Sequence, residues 1–262
     1  MAFTPLKFKF DKELLEFFSE KFAEEQIAFN GSLFKKETQP LLDPLELKDR
    51  VNVISHQLNK FLSGNYSEKL KSLIKILGPE NQGSYGTFND FFWTWPIGRF
   101  IELYGLEFET ESLNALEELT KRGTAEFAIR PFIIQNPDRL IATMTDWSLH
   151  DNFHIRRLSS EGLRPNLPWA GKLKLFIENT EPVFNILENL KDDPSKYVQT
   201  SVANHINDYF KVNESAAIAL INHWADKPSS KSNRWIIKHA IRNYRKKGVD
   251  WALEMTQKMN EN

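Results

Sequence analysis

The sequence contains no cysteine, which excludes a disulfide framework, a thiolate nucleophile, a Cys-ligated zinc and an iron–sulfur cluster. Glycine is scarce, 11 residues in 262, and too dispersed for a phosphate cradle; no P-loop, GxGxxG or GxSxG pattern occurs. No apolar run approaches the roughly 18 residues of a membrane span. Met1 to Phe10 interleaves Lys with Phe where a signal peptide would be apolar. These absences point to a soluble cytoplasmic protein. Alternation of β-branched residues is also nearly missing, so no sheet is expected.

What is present is helical. Apolar residues make up 41 % of the chain, enough for a sizeable core, and they recur at three and four. Caps and breakers predict helices from Asp11 to about Gln26, from Asp43-Pro44 to Ser63-Gly64, and over Ser67 to Leu77. Others are predicted over Thr87 to Tyr104, Thr110 to Lys121, Thr124 to Ile134 and Asn136 to Ser148. Farther on, helix starts at His154, Tyr197 and Arg234 look alike and stand 43 and 37 residues apart. Such periods suit paired helices of the HEAT or armadillo kind. We expect an all-α chain, an α-α superhelix forming one domain over 1–262, with an N-terminal helical segment over 1–122 and repeats over 123–262. Stacked pairs leave a concave face lined by the second helices.

Charge is uneven behind a net of -1: from His150 onward there are 17 basic and 13 acidic residues, against 17 and 22 before it. On the second helices, Arg157, Glu161 and Arg164 share one face, as do Thr200, Asn204 and Asp208 on the next. On the third, Arg234, Lys238, Arg242 and Arg245 align within about 80° on one continuous helix, and six cations without an acid lie between Arg234 and Lys247. A cationic row at helical pitch can follow a phosphate backbone; a solvated outer face is the plainer reading. Pro165 ends the helix of Glu161, and the stiff Asn166-Leu167-Pro168-Trp169 segment can place an indole beside it, or plug the gap between repeats. Trp93, Trp95, Trp224 and Trp235 fall on apolar stripes and read as core. His150-Asp151-Asn152-Phe153-His154 mimics zinc-protease spacing, but Asp151-Asn152 reads as a turn and cap, so no metal is expected.

The stretch His154-Ile155-Arg156-Arg157-Leu158-Ser159-Ser160-Glu161-Gly162-Leu163-Arg164-Pro165-Asn166-Leu167-Pro168-Trp169 closely resembles the AlkC branch of the bacterial AlkC/AlkD DNA alkylation repair proteins. Leu45 to Arg50, Trp95-Pro96, Tyr104-Gly105-Leu106, Ala125 to Phe132 and Ser201 to Asp208 are also family-like. The resemblance implies a HEAT-like solenoid that wraps duplex DNA containing alkylated bases and, without cofactor, cuts the N-glycosidic bond of cationic bases such as 3-methyladenine or 3-methylcytosine. It also implies catalysis without deep base flipping, unlike most glycosylases. The chain looks like the short form lacking the immunoglobulin-like domain of some members, and is expected to act as a monomer.

From the matching motifs, Glu161 and Glu126 are the expected catalytic carboxylates, with Asp208 in support. An alkylated base already carries positive charge and needs no general acid to leave. The carboxylates would offset the developing oxocarbenium charge and place a water. Arg157 and Arg164 would keep Glu161 ionised and bind phosphates. Trp169 would lie against the deoxyribose or the lesion. Arg156, Arg234, Lys238, Arg242 and Arg245 complete the expected DNA contacts. Two other readings remain: a non-catalytic binder of distorted or branched DNA, with Glu161 and Glu126 in inter-repeat ion pairs, and a helical scaffold for another protein, which would need apolar anchors on its concave face.

Overall fold

The computed structural model describes residues 5–83, 88–227 and 230–261. Every regular element among the described residues is helical, and none is long and apolar enough to cross a membrane. The chain divides into two compact units: Met1–Gln82 with Gly86–Pro131, and Gly83–Tyr85 with Phe132–Asn262.

The first unit carries α1 (Lys12–Glu24), α2 (Gly31–Leu42), α3 (Leu47–Phe61), α4 (Tyr66–Lys75), α5 (Phe88–Phe91), α6 (Trp95–Tyr104) and α7 (Glu109–Thr120). Asp11 caps α1 by accepting from the Glu13 amide at 2.9 Å, and Leu14, Leu15, Phe18 and Phe22 turn inward at the helical period. Buried Arg50 spends its guanidinium on the Leu45 and Phe10 carbonyls at 3.0 and 3.2 Å, so the family-like Leu45 to Arg50 segment is structural. Gly105 is likewise required: a Cβ there would stand 2.4 Å from both Ser112 Oγ and Tyr66 Oη.

One helix is missed by the sequence reading and two predicted ones differ. Sequence pattern passes over α2, because Pro40 lies inside it. Thr87 lies outside the described residues, and the helix expected to follow it is split by a 3-10 turn, Phe92–Thr94. The Thr124 to Ile134 helix is irregular at its start and a turn over 126–129, followed by α8 (Arg130–Gln135). Pro131 decides this. Inside a helix begun at Thr124 it would remove a hydrogen bond and clash, whereas in the first turn of α8 its missing N–H has no partner to lose.

The second unit is built of helix pairs: α9 (Pro137–Ser148) with α10 (Phe153–Glu161), α11 (Glu181–Leu190) with α12 (Lys196–Tyr209), and α13 (Glu214–Asp226) with α14 (Lys231–Ala240). α15 (Arg242–Lys246) and α16 (Asp250–Glu261) follow. The second helices pack in the order α10, α12, α14, and α9 packs on α11, as in an α-α superhelix. Asn152, Asn213 and Ser230 cap α10, α13 and α14 through their side chains. Ile155 and Leu158, Val198, Val202 and Ile206, then Ile236, Ile237 and Ala240 form the continuous core stripe. Burying each valine, leucine or isoleucine of it is worth about 1.5–3 kcal/mol, so the stripe, repeated in every pair, fixes which residues of each second helix remain for chemistry.

The expected continuous helix from Arg234 to Lys247 is corrected. Ile241 leaves helical geometry at φ -88° and ψ 7°, α14 stops at Ala240, and the short α15 restarts at Arg242. The four cations therefore do not form one uninterrupted row.

Candidate functional site

α10 carries Arg157 and Glu161 and stops at Glu161, short of the expected end at Pro165; Arg164 follows in the turn beyond Gly162 and turns its guanidinium back to Glu161. Glu161 is only 6 % exposed, yet its carboxylate is fully engaged: Oε1 accepts from Arg164 Nη1 at 2.7 Å and lies 3.5 Å from Arg157 Nη2, while Oε2 accepts from Ser201 Oγ at 2.5 Å. Burial by itself would push this carboxyl up. The positive charges of Arg157 and Arg164, with the Ser201 and Arg164 hydrogen bonds, outweigh burial and hold Glu161 below the usual carboxylate range. It is therefore an anion at neutral pH, placed among fixed donors.

Arg164 joins two repeats. Its Nε and Nη2 both reach Asp208 Oδ2 on α12 at 2.8 Å, so one guanidinium bridges two carboxylates, each less than a tenth exposed. Arg157 lies over the Tyr197 ring at 4.7 Å. Neither Ser201 nor Tyr197 was singled out by sequence reasoning, yet Ser201 opens the family-like Ser201 to Asp208 segment, where four polar residues find partners across the repeats. Ser201 donates to Glu161, Asn204 accepts from Arg242 at 2.8 Å, Asn207 donates to the Ala240 carbonyl at 3.2 Å, and Asp208 holds Arg164.

The α14 face differs from the expected one. Trp235 and His239 on α14 and Arg242 at the start of α15, spaced i, i+4 and i+7, stand beside the polar row of α12. The Trp235 ring stacks on His239 with centroids 4.6 Å apart and planes at 15°, and Lys196 Nζ from α12 lies over the same indole. Trp235 is thus half-buried between two polar groups, not core as its place on an apolar stripe suggested. Lys238 leaves toward α16 and donates to Asn260 at 2.9 Å; Arg234 is half-buried and Arg245 exposed. Only Arg242 of the predicted row joins the Arg164–Asp208 group, whose charges act on its own titration.

The remaining predicted residues divide. Trp169 is 53 % exposed at the tip of a loop anchored by buried Leu163 and Leu167, and holds a left-handed φ of 65°, a conformation a bulky side chain rarely adopts. An exposed ring of this kind plugs no gap between repeats. Arg156 points away from Glu161: its fork grips Asp193 at 2.6 and 3.2 Å, and Nη1 donates to the His150 and Asp151 carbonyls. Its guanidinium ties α10 to the α11–α12 turn and leaves no fork for phosphate. Glu126 belongs to the first unit and sits half-buried on the turn before α8. His150 Nδ1 accepts from the Asn152 amide at 2.8 Å, within the turn that starts α10. Among the described residues no cluster of three metal-ligating side chains occurs.

Stacked helix pairs whose second helices carry arginine-bridged buried carboxylates define a helical-repeat protein with a charged working face. The family model described as DNA alkylation repair enzyme matches residues 122–244, and the chain belongs to this family, in its AlkC branch. The solved structure of Pseudomonas fluorescens alkylpurine DNA glycosylase AlkC bound to DNA containing an abasic site analog is similar over 97 % of this chain and 68 % of its own, at 34 % identity and a TM-score of 0.86. The uncharacterized protein YhaZ of Bacillus subtilis (strain 168) is 37 % identical over 212 residues, 80 % of this chain. The chain spans little more than half, 56 %, of that relative's length.

Proposed function

We propose that the protein is an alkylpurine DNA glycosylase acting as a monomer on double-stranded DNA in the cytoplasm, releasing cationic alkylated bases such as 3-methyladenine or 3-methylcytosine without cofactor and without deep base flipping. The observation that carries this reading is Glu161, a buried carboxylate kept ionised by two arginines on the face shared by the second helices. The reaction breaks the bond between C1′ and the base nitrogen. Its electron pair neutralises the charged base, which leaves without a proton from the protein. C1′ then carries the positive charge, and a preorganised anion stabilises it without reorganising at that moment. Water adds to C1′, and its proton passes to a carboxylate or to solvent.

Arg164 prepares this chemistry in two ways: it helps keep Glu161 charged, and it holds Glu161 and Asp208 side by side. Arg157 and Arg242 supply phosphate contacts on the same face. Arg242 has its charge opposed by burial and by neighbouring Arg164, a situation that a bound phosphate relieves. Trp169, outside the core, provides a ring for the sugar or the cationic base. The resemblance to AlkC adds Glu126 as a second carboxylate. Arg156 takes a structural role instead.

The test is release of free 3-methyladenine and 3-methylcytosine from methylated duplex DNA by the wild type, Glu161→Gln and Glu126→Gln. Removing one preorganised stabiliser of transition-state charge costs about 10²–10³ in rate. We expect a loss of that order in Glu161→Gln with folding and DNA binding retained. No release by the wild type above the spontaneous rate, with binding intact, overturns the catalytic reading in favour of DNA binding alone.

A further inference from the structure

The stack of Lys196, Trp235 and His239 takes no part in the proposed reaction. Lys196 continues the α12 row one turn before Thr200, Asn204 and Asp208, and Trp235 and His239 on α14 with Arg242 on α15 continue it. The three side chains are mutually placed: the ammonium over the indole and the imidazole nearly parallel to it at 4.6 Å. The His239 backbone carbonyl accepts from Arg242 Nη1 at 2.7 Å, and the same guanidinium reaches Asn204 through Nη2. Lys196 and His239 thus lie against one ring, and His239 also feels the positive charges of Arg242 and Arg245.

The charges that act on His239 are Lys196 from α12 and Arg242 and Arg245 from α15, all positive. On the α16 flank of α14 the charge is Lys238, held by Asn260. Burial, then the nearby cations, push the His239 imidazole down to about 4, and burial takes Lys196 down to about 8. A cluster of this sign, partly sheltered and pre-positioned, is short of an anion.

We propose that Lys196 and His239, both held against Trp235, form with Arg242 a seat for a DNA phosphodiester, and that seating the phosphate places a proton on His239. The seat rests on the DNA-binding reading above and extends it one repeat beyond the Glu161 carboxylate. It makes Lys196 and His239 positioning residues that fix the strand on the face without touching the reacting sugar. A phosphate between the cations cancels the repulsion that keeps the imidazole neutral, so proton uptake accompanies binding and affinity rises as pH falls. If the bound imidazole returns to an ordinary value near 6.5, binding is about tenfold tighter at about pH 5.5 than at about pH 7.5 from this group alone.

The experiment follows the His239 ring by residue-resolved NMR titration, free and with a duplex containing an abasic-site analogue, in the wild type, His239→Gln and Lys196→Gln. Affinity is measured across the same pH range and at several salt concentrations. The seat predicts an acidic His239 titration in the free protein and a rise of about two pH units or more on binding. It also predicts loss of the acid-side affinity gain in His239→Gln. In Lys196→Gln the free His239 titration moves upward and the salt slope falls by about one. Normal DNA binding with an unmoved His239 titration overturns the seat and leaves the DNA reading standing. No binding of the duplex at all overturns both.

Discussion

Replacing Arg164 by Met tests whether the bridge between Glu161 and Asp208 organises the second unit. The native guanidinium makes three short contacts, one to Glu161 at 2.7 Å and two to Asp208 at 2.8 Å, and all three side chains are less than a tenth exposed. Removing the cation leaves two buried carboxylates, one still near Arg157 and Ser201 and the other still reached by Lys211 at 3.3 Å. Breaking a buried pair by deleting one partner costs about 3–5 kcal/mol. The surviving neighbours place Arg164→Met near the lower end, about 3 kcal/mol, a large share of the roughly 5–15 kcal/mol available to a domain. Neutralising an abandoned carboxylate should return some of it, so Glu161→Gln in the Arg164→Met background should cost at least about 1 kcal/mol less than in the wild type. Urea unfolding of the four proteins of this cycle measures the coupling. A single-variant cost below about 1 kcal/mol, with additivity within about 0.5 kcal/mol, would show that the bridge is solvated and the argument from burial wrong.

Three further outcomes follow from the same geometry. Trp169→Gly should raise stability by up to about 1 kcal/mol, because glycine accepts the positive φ without strain, while base release falls; unfolding and release assays on one preparation separate the two, and lost stability with unchanged release would refute it. Arg156→Met should lower stability by about 3 kcal/mol through the abandoned, buried Asp193 while the salt slope of DNA binding stays at the wild-type value, since that guanidinium carries no phosphate; a shallower slope refutes the assignment. For pH, Glu161 is ionised more easily folded than unfolded. Its stabilisation is therefore complete above the unfolded carboxylate value near 4.3 and disappears as pH falls through the lower folded value. Base release should show no limb from Glu161 between about pH 5 and pH 8, and a limb near neutrality lost in Glu161→Gln would overturn the ionisation argument.

The three predicted second helices were legible to different depths, and the reason is physical. On α10, Arg157 and Glu161 stand opposite Ile155 and Leu158, so the amphipathic pattern identifies the face, and Arg164 joins it from the turn just past the helix end. On α12 the row Thr200, Asn204 and Asp208 is equally plain, but what those groups touch depends on the neighbouring repeat, so Ser201 as the donor to Glu161 could not be read from α12 alone. On α14 the pattern misled, because four cations at helical spacing suggest one row, while aromatic Trp235 suggests core. The actual division follows the packing of Ile236, Ile237 and Ala240, all fully buried. With that stripe inward, α14 exposes two flanks. Trp235 and His239 fall on the flank that meets α12, Lys238 falls on the one that meets α16, and the break at Ile241 lets Arg242 join the first. Periodicity along one helix tells which residues face away from the core, and the partner helices decide which of them work together. The signal that would have found the second flank was present across helices: Lys196 lies one turn before the Thr200 row, and Trp235, His239 and Arg242 repeat the 157, 161, 164 spacing.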